Sequence, residues 1–291
     1  MPGTPTFLMT DSSHFEVTYK INPWMTPEAW RVNEAANRIE AHQGHTHLAI
    51  ALREAGARVI IMDGAPGLPD MVFPANAAIV LNKKALLARF RYHERQGEER
   101  HFLHEFERLK ELGLLDEVVQ QPKGAWQEGA GDCVWDAWRQ HFWAGFGPRS
   151  SFEAKDRIAE HFSVPVTGLE LVSSQYYHLD TCFAVLSGGE IVYYPPAFSK
   201  AALLTIRDVV PEHALIEASD EDAARFAVNA VNIGRTVVMA EPTARLAGEL
   251  KERGYFVSPV QLRPFIMSGG GAYCMTLRLD AKSASDELPE G

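Results

Sequence analysis

Short apolar runs alternate along the chain with stretches whose apolar residues recur at helical spacing. Residues 57–62 and 77–82 are too short for helices and read as buried strands. Residues 132–135 and 140–145 read as a hairpin. Residues 182–186 and 191–194 read as another, closed by Ser187-Gly188-Gly189-Glu190, where glycine supplies the turn. Residues 235–240 and 274–279 complete the predicted strands. Helical spacing appears at 27–40, 45–54, 97–112, 151–161, 220–227 and 243–253. In the last of these Ala244, Leu246, Ala247 and Leu250 form one stripe, and Gly254 stands where a helix would stop. Ser150 or Ser151, and Ser219, are placed to cap the helices that follow them.

Repeated strand–helix units predict a mixed α/β architecture. No long linker or letter-level repeat divides the chain, so residues 1–291 are expected to form a single domain with an ordered core of about 7–281. The ends, 1–6 and 282–291, are polar or carry proline and glycine, and are expected to lack fixed structure. The longest apolar runs, 59–62 and 77–81, are far too short to cross a bilayer. With no charged segment followed by an apolar one at the start, the expected location is cytoplasmic.

Charge narrows the partners. The net charge is −10 and the basic residues are scattered, which argues against a phosphate backbone and suits a cationic small molecule. The three cysteines form no disulfide framework and no close metal-type pair. Cys133 and Cys182 lie in apolar runs and read as core residues. His42, His45 and His47 lack a ligand partner at metal spacing and read as a solvated helix end. Trp126, Trp135, Trp138 and Trp143 read as core and hairpin packing.

Chemistry concentrates in segments where polar residues sit beside glycine or proline: 21–25, 67–76, 128–132 and 268–274, with Tyr177-His178-Leu179-Asp180 at the start of an apolar run. Cys274 follows three glycines, where backbone can approach a ligand closely. A thiolate there could attack a planar carbon if a cationic neighbour lowers its pKa; the plain alternative is a buried strand cysteine. His178 and Asp180, two apart, would share one face of a strand, one to move a proton and the other to bind a cation. Glu128 could orient His178 or accept from a guanidinium. No Lys-Ser/Thr follows the glycines, so they are not a phosphate loop.

Together these segments resemble the pentein superfamily of guanidino-modifying enzymes. Its acid–Gly–Gly–Asp signature corresponds to Glu128 through Asp132 with one extra residue. Its His-Leu-Asp element stands as His178-Leu179-Asp180, and its glycine-rich nucleophile segment is Gly269 to Cys274. The resemblance runs from Asn22 to Leu279. It implies a five-bladed α/β propeller of ββαβ-type units about a pseudo-fivefold axis, with no metal or organic cofactor. It also implies Cys274 as nucleophile with His178 and Glu128 in the proton chemistry, and Asn22, Asp70, Asn76, Arg95, Arg149 and Asp180 on the substrate. Arg95 and Arg149 match the arginines that hold a substrate carboxylate, and Arg91 is a rival for Arg95.

Asn76, after Pro69-Asp70-Met71-Val72-Phe73, and Asn22 look like the arginine dihydrolases, which convert arginine to ornithine, two ammonia and carbon dioxide. An asparagine offers both donor and acceptor, so it suits a cationic guanidinium and the neutral ureido group made from it; an aspartate suits only the first. Pro74 and Tyr273 depart from that branch. The second domain of the longer, bifunctional dihydrolases has no counterpart in these residues. The alternatives are a single-step deiminase or dimethylarginine dimethylaminohydrolase, an amidinotransferase, and a guanidino-binding scaffold without catalysis. The expected partner is arginine or a derivative, with no nucleic acid or membrane; the sequence leaves a homo-oligomer open.

Overall fold

Both predicted hairpins form, and in each case a third strand extends the sheet. In the computed structural model, which describes residues 3–122 and 124–284, Cys133–Asp136 pairs antiparallel with His141–Phe146, and Val166–Glu170 adds in parallel on the far side. The same pattern repeats in Phe183–Val185, Ile191–Tyr193 and Leu215–Glu217. It recurs in Ala78–Leu81, Lys84–Leu87 and Glu117–Gln120, and in Val231–Ile233, Thr236–Met239 and Phe256–Pro259. A fifth sheet joins the two ends of the fold: Leu277–Arg278 pairs antiparallel with Thr6–Thr10, which runs parallel to Arg58–Met62. These are the five blades of an α/β propeller, as the resemblance implied. A parallel step cannot be made by a tight turn. Each second and third strand is accordingly joined through helix, for example Glu34–Glu54, Glu99–Glu111, Ala154–Phe162, Lys200–Val209 and Ala244–Glu252.

A three-stranded sheet is marginal alone, so the blades depend on one another and on the helices packed over them. Phe15, Trp30, Phe73 and Phe265 are buried together beneath the helix Glu34–Glu54. Each such side chain contributes roughly 1.5–3 kcal/mol of apolar burial. Around the centre, the first strands of all five blades line one cavity of about 480 Å³, with Val80, Val134, Ala184, Val231 and Leu277 on its wall.

Local chemistry explains several boundaries and corrects others. Ser219 forms a full capping box with Asp222 at the helix Asp220–Ala224, which is shorter than predicted. Gly254 ends Ala244–Glu252 with φ +80°. Ser150 and Ser151 cap nothing. The helix begins at Ala154 behind Glu153 without a side-chain cap, because Ser150 Oγ is spent on Asp132 and Ser151 Oγ accepts from the Trp126 amide. The two predicted helices at 27–40 and 45–54 are redivided at Asn33 into Pro27–Val32 and Glu34–Glu54. The helix Lys200–Val209 escaped prediction despite its Ser199 cap.

The strand expected at 274–279 shrinks to Leu277–Arg278, leaving Cys274 in the turn before it. The described parts of both ends are held. Thr6 donates its amide to Asp280, and the Asn82 side chain exchanges hydrogen bonds with Ser283. The rest of the ends, 1–2 and 285–291, lies outside the described residues. Cys133 and Cys182 are buried, and no cysteine is in a disulfide. Trp143 is core, whereas Trp138 is largely exposed and covers Gly189 of the neighbouring hairpin. Among the described residues no helix is long and apolar enough to cross a membrane.

Candidate active site

The turns that enter the first strand of each blade converge at the centre. Five residues before those strands stand Phe73, Glu128, His178, Phe226 and Ala272; three before them stand Ala75, Ala130, Asp180, Val228 and Cys274. Chemically active side chains from separate blades are therefore delivered by equivalent positions of a repeated turn. The His178–Asp180 segment is not strand as expected. His178 is extended, and Leu179–Thr181 makes a 3₁₀ turn in which Asp180 is buried. At Gly129 φ is +62°, and a Cβ would fall 2.5 Å from the Ala75 carbonyl oxygen, so the Glu128 turn can close only with glycine.

All nine predicted residues are buried, and side-chain hydrogen bonds and short stretches of backbone link them. Glu128 is fully enclosed. Its Oε2 accepts from Arg149 Nη1 at 2.9 Å and lies 2.7 Å from His178 Nε2, while Oε1 accepts from the Arg91 amide at 3.0 Å. Burial would push its pKa up, but Arg149 and then His178 outweigh it and hold the carboxyl well below the usual range. Arg95 Nη1 donates to Asn76 Oδ1 at 2.7 Å, which turns the Asn76 amide nitrogen toward His178 Nδ1 at 3.5 Å. This pattern assigns an N–H at His178 Nε2, facing Glu128, and an acceptor at Nδ1.

Arg95 also forks onto Glu98, at 2.9 and 2.8 Å, and reaches the Asp70 carbonyl. Arg149 lies over the rings of Tyr92 and Tyr177. Both arginines are thus inside the site and paired with carboxylates. Arg91 instead sends its side chain to the Gly147 and Pro148 carbonyls at the surface. Asn22 spends Oδ1 on the Trp24 and Met25 amides and Nδ2 on the Ser268 carbonyl, bracing the nucleophile loop. Asp70 accepts from Ser268 Oγ at 3.2 Å, and burial raises its pKa.

Cys274 Sγ donates to Asp180 Oδ2 at 3.1 Å. The cationic neighbour anticipated for the thiol is absent among its side-chain partners, which are Asp180 and Asn229. Burial, followed by the charge of Asp180, pushes the thiol pKa well above its ordinary value. Burial likewise raises Asp180 to about 7, against hydrogen bonds from Cys274 and Asn229. Asp180 Oδ1 is buried with no hydrogen-bond partner among the described residues. Such an acceptor is rare unless a ligand completes it.

Glu98 and Asn229 escaped the sequence reading, and Asp132 was named only as the end of the signature that begins at Glu128. Asp132 accepts from the Leu179 amide and Ser150 Oγ, fixing one turn against the next. Glu98 neutralises Arg95. Asn229 binds the sulfur, and its turn leads into Val231–Ile233, a strand too short to stand out by periodicity.

The five blades and this convergent set define a pentein. More particularly, the chain belongs to the family described as N,N dimethylarginine dimethylhydrolase, eukaryotic, which matches residues 14–280. It is 38% identical over 272 residues to the bifunctional arginine dihydrolase/ornithine cyclodeaminase ArgZ of Synechocystis, covering 94% of this chain and 37% of that protein. The chain thus spans little more than a third of that relative. The N,N-dimethylarginine dimethylaminohydrolase of Mycobacterium tuberculosis is 34% identical, with 96% of this chain and 87% of that one covered. A crystal structure of the ArgZ N-terminal domain bound to product superposes with a TM-score of 0.89 at 37% identity, over 96% of this chain and 99% of that domain.

Proposed function

We propose that the chain hydrolyses the guanidino group of arginine through a covalent Cys274 intermediate and continues to ornithine, two ammonia and carbon dioxide. One observation carries the reading: a buried carboxylate, Asp180, holds the Cys274 thiol with one oxygen and leaves the other without a partner among the described residues. A guanidinium N–H satisfies that oxygen, and its positive charge beside the sulfur supplies the cation missing from the sulfur's resting side-chain partners.

The steps follow from the groups present. As the guanidinium binds, the thiol proton passes to His178, and the thiolate adds to the central carbon. The C–N bond to a terminal nitrogen breaks, ammonia leaves with a proton from His178, and a thiouronium remains on Cys274. Water, deprotonated by His178, adds to that carbon and the C–S bond breaks, giving citrulline. In a second round the thiolate adds to the ureido carbon and ammonia leaves. Water then releases a carbamate from sulfur, which loses carbon dioxide to give ornithine. Each round consumes one water.

Asn76 supports the longer course, since its neutral amide, anchored by Arg95, accommodates both a charged and an uncharged substrate group. The likeness to ArgZ, named as an arginine dihydrolase, supports it too. The second reading stops at citrulline and rests on the family description and the mycobacterial relative. Incubation with arginine, citrulline and methylated arginines, with products identified by mass, separates them. Ornithine with two ammonia per arginine is expected; citrulline that accumulates without further loss rejects the dihydrolase course.

The pH profile tests the role of Asp180. Only its ionised form attracts a guanidinium, and free Asp180 titrates at about 7. kcat/KM for arginine should therefore rise about tenfold per pH unit below that point and level off above it. The folding consequence has the same origin: protons bind Asp180 more tightly in the native state than in the unfolded one. Its contribution to stability is thus greatest in acid and lost as pH climbs toward 7. A flat kcat/KM between pH 5 and 8 would remove Asp180 from substrate capture.

A further inference from the structure

We propose that Asn229 is a further catalytic residue, whose side-chain amide aims the Cys274 sulfur and stabilises it as the thiolate. The proposal rests on the covalent role of Cys274 given above and adds a group outside the sequence-derived set. Asn229 is completely buried between the helix Asp220–Ala224 and the strand Val231–Ile233. Its Oδ1 accepts from the backbone amides of Tyr273 and Cys274, at 3.0 and 3.1 Å. Its Nδ2 donates to the Asp180 carbonyl at 3.0 Å and to Cys274 Sγ at 3.1 Å. A carboxamide has two N–H groups and two lone pairs, and all four are engaged. Two backbone donors facing Oδ1 fix which end of the amide meets the sulfur.

A purely structural clamp would need only the bonds to backbone. The N–H directed at sulfur is the part that does chemistry. In the resting thiol, sulfur donates a hydrogen bond to Asp180; once its proton leaves, the sulfur carries negative charge in a buried site. Among the described residues Asn229 is then the one side chain that donates to it. A fixed donor aimed at charge that appears during reaction acts without reorganisation. The nucleophile loop is shaped for this contact, since a Cβ at Gly271 would lie 2.8 Å from Asn229 Oδ1. Asn229 also holds the turn position that Asn76 holds two blades away around the ring, two residues before a first strand. One steadies the sulfur and the other the imidazole.

Asn229→Asp tests the effect. It keeps an acceptor for both backbone amides and replaces the amide nitrogen, with its N–H groups toward sulfur and the Asp180 carbonyl, by an oxygen. Two readouts are taken: the pH profile of Cys274 alkylation by iodoacetamide, followed by peptide mass, and steady-state kinetics on arginine. Alkylation at pH 8 should slow about tenfold, its midpoint should move to higher pH, and kcat should fall about a hundredfold with KM held within about threefold. A variant with wild-type circular dichroism and melting that alkylates and turns over within about twofold of wild type overturns the proposal. Should Asn229→Asp fail to fold, Gly271→Ala displaces the amide without removing it and should produce the same pair of losses; unchanged alkylation there also overturns it. Alkylation requires no substrate. A wild-type protein inactive on every guanidino compound would therefore sink the proposed reaction while this test of Asn229 still reads out.

Discussion

Cys274→Ser should abolish arginine turnover, by at least about 10⁴-fold in kcat, while arginine still binds. The size follows from what the sulfur does: it forms the bond that converts one hard displacement into two easier ones. A serine hydroxyl is far less acidic, and beside Asp180 in a buried turn neither the bound guanidinium nor the Asn229 amide can compensate for that difference. Binding should survive because the partners offered to the substrate, Asp180 Oδ1 above all, are untouched. Intact-mass analysis of enzyme quenched during turnover should show a substrate adduct on wild type and none on the variant. Turnover at the wild-type rate by Cys274→Ser would end the covalent reading.

His178→Ala should lower kcat by about 10²–10⁴-fold, the usual worth of a positioned proton-transfer group. The imidazole bridges Glu128 and Asn76, so its loss also removes the acceptor that Asn76 Nδ2 faces. The measurement that separates chemistry from disturbed packing is rescue. Added imidazole should restore part of the lost kcat by taking over the proton transfer, whereas simple loosening of the site would leave the rate where it is. A variant within about fivefold of wild type would exclude His178 from proton transfer.

Glu128 shows why these groups act as a unit. It is fully enclosed, and Arg149 and His178 share one of its oxygens. Removing either partner leaves a buried charge less compensated, a change that commonly costs about 3–5 kcal/mol. Effects of double substitutions among Glu128, Arg149 and His178 should accordingly fall short of the sum of the single ones.

The residues named from sequence came from segments that carry their own signal. Three glycines before Cys274, a His-Leu-Asp run and a glycine-bearing turn after Glu128 are visible within a few positions, whatever the rest of the chain does. Asn229 has no such mark. It sits in a turn beside a three-residue strand, and its meaning comes from Cys274, which arrives from another blade. Arg95 and Arg91 looked interchangeable in sequence. A helical turn at His93–Gln96 carries one inward onto Asn76 and Glu98, while the other leaves its backbone to Glu128 and its side chain to the surface.

Periodicity and turn chemistry, read from sequence alone, determined the hairpins, the alternation with helices and the segments where reactive side chains gather, because each depends on neighbours along the chain. Tertiary structure alone decided the electrostatics of the nucleophile. The thiol faces a carboxylate and an amide, and the arginines of the site are engaged by Glu98, Asn76 and Glu128. The physical reason is distance in sequence: Asp180, Asn229 and Cys274 lie on three different blades, and only closure of the ring brings their atoms within 3.1 Å.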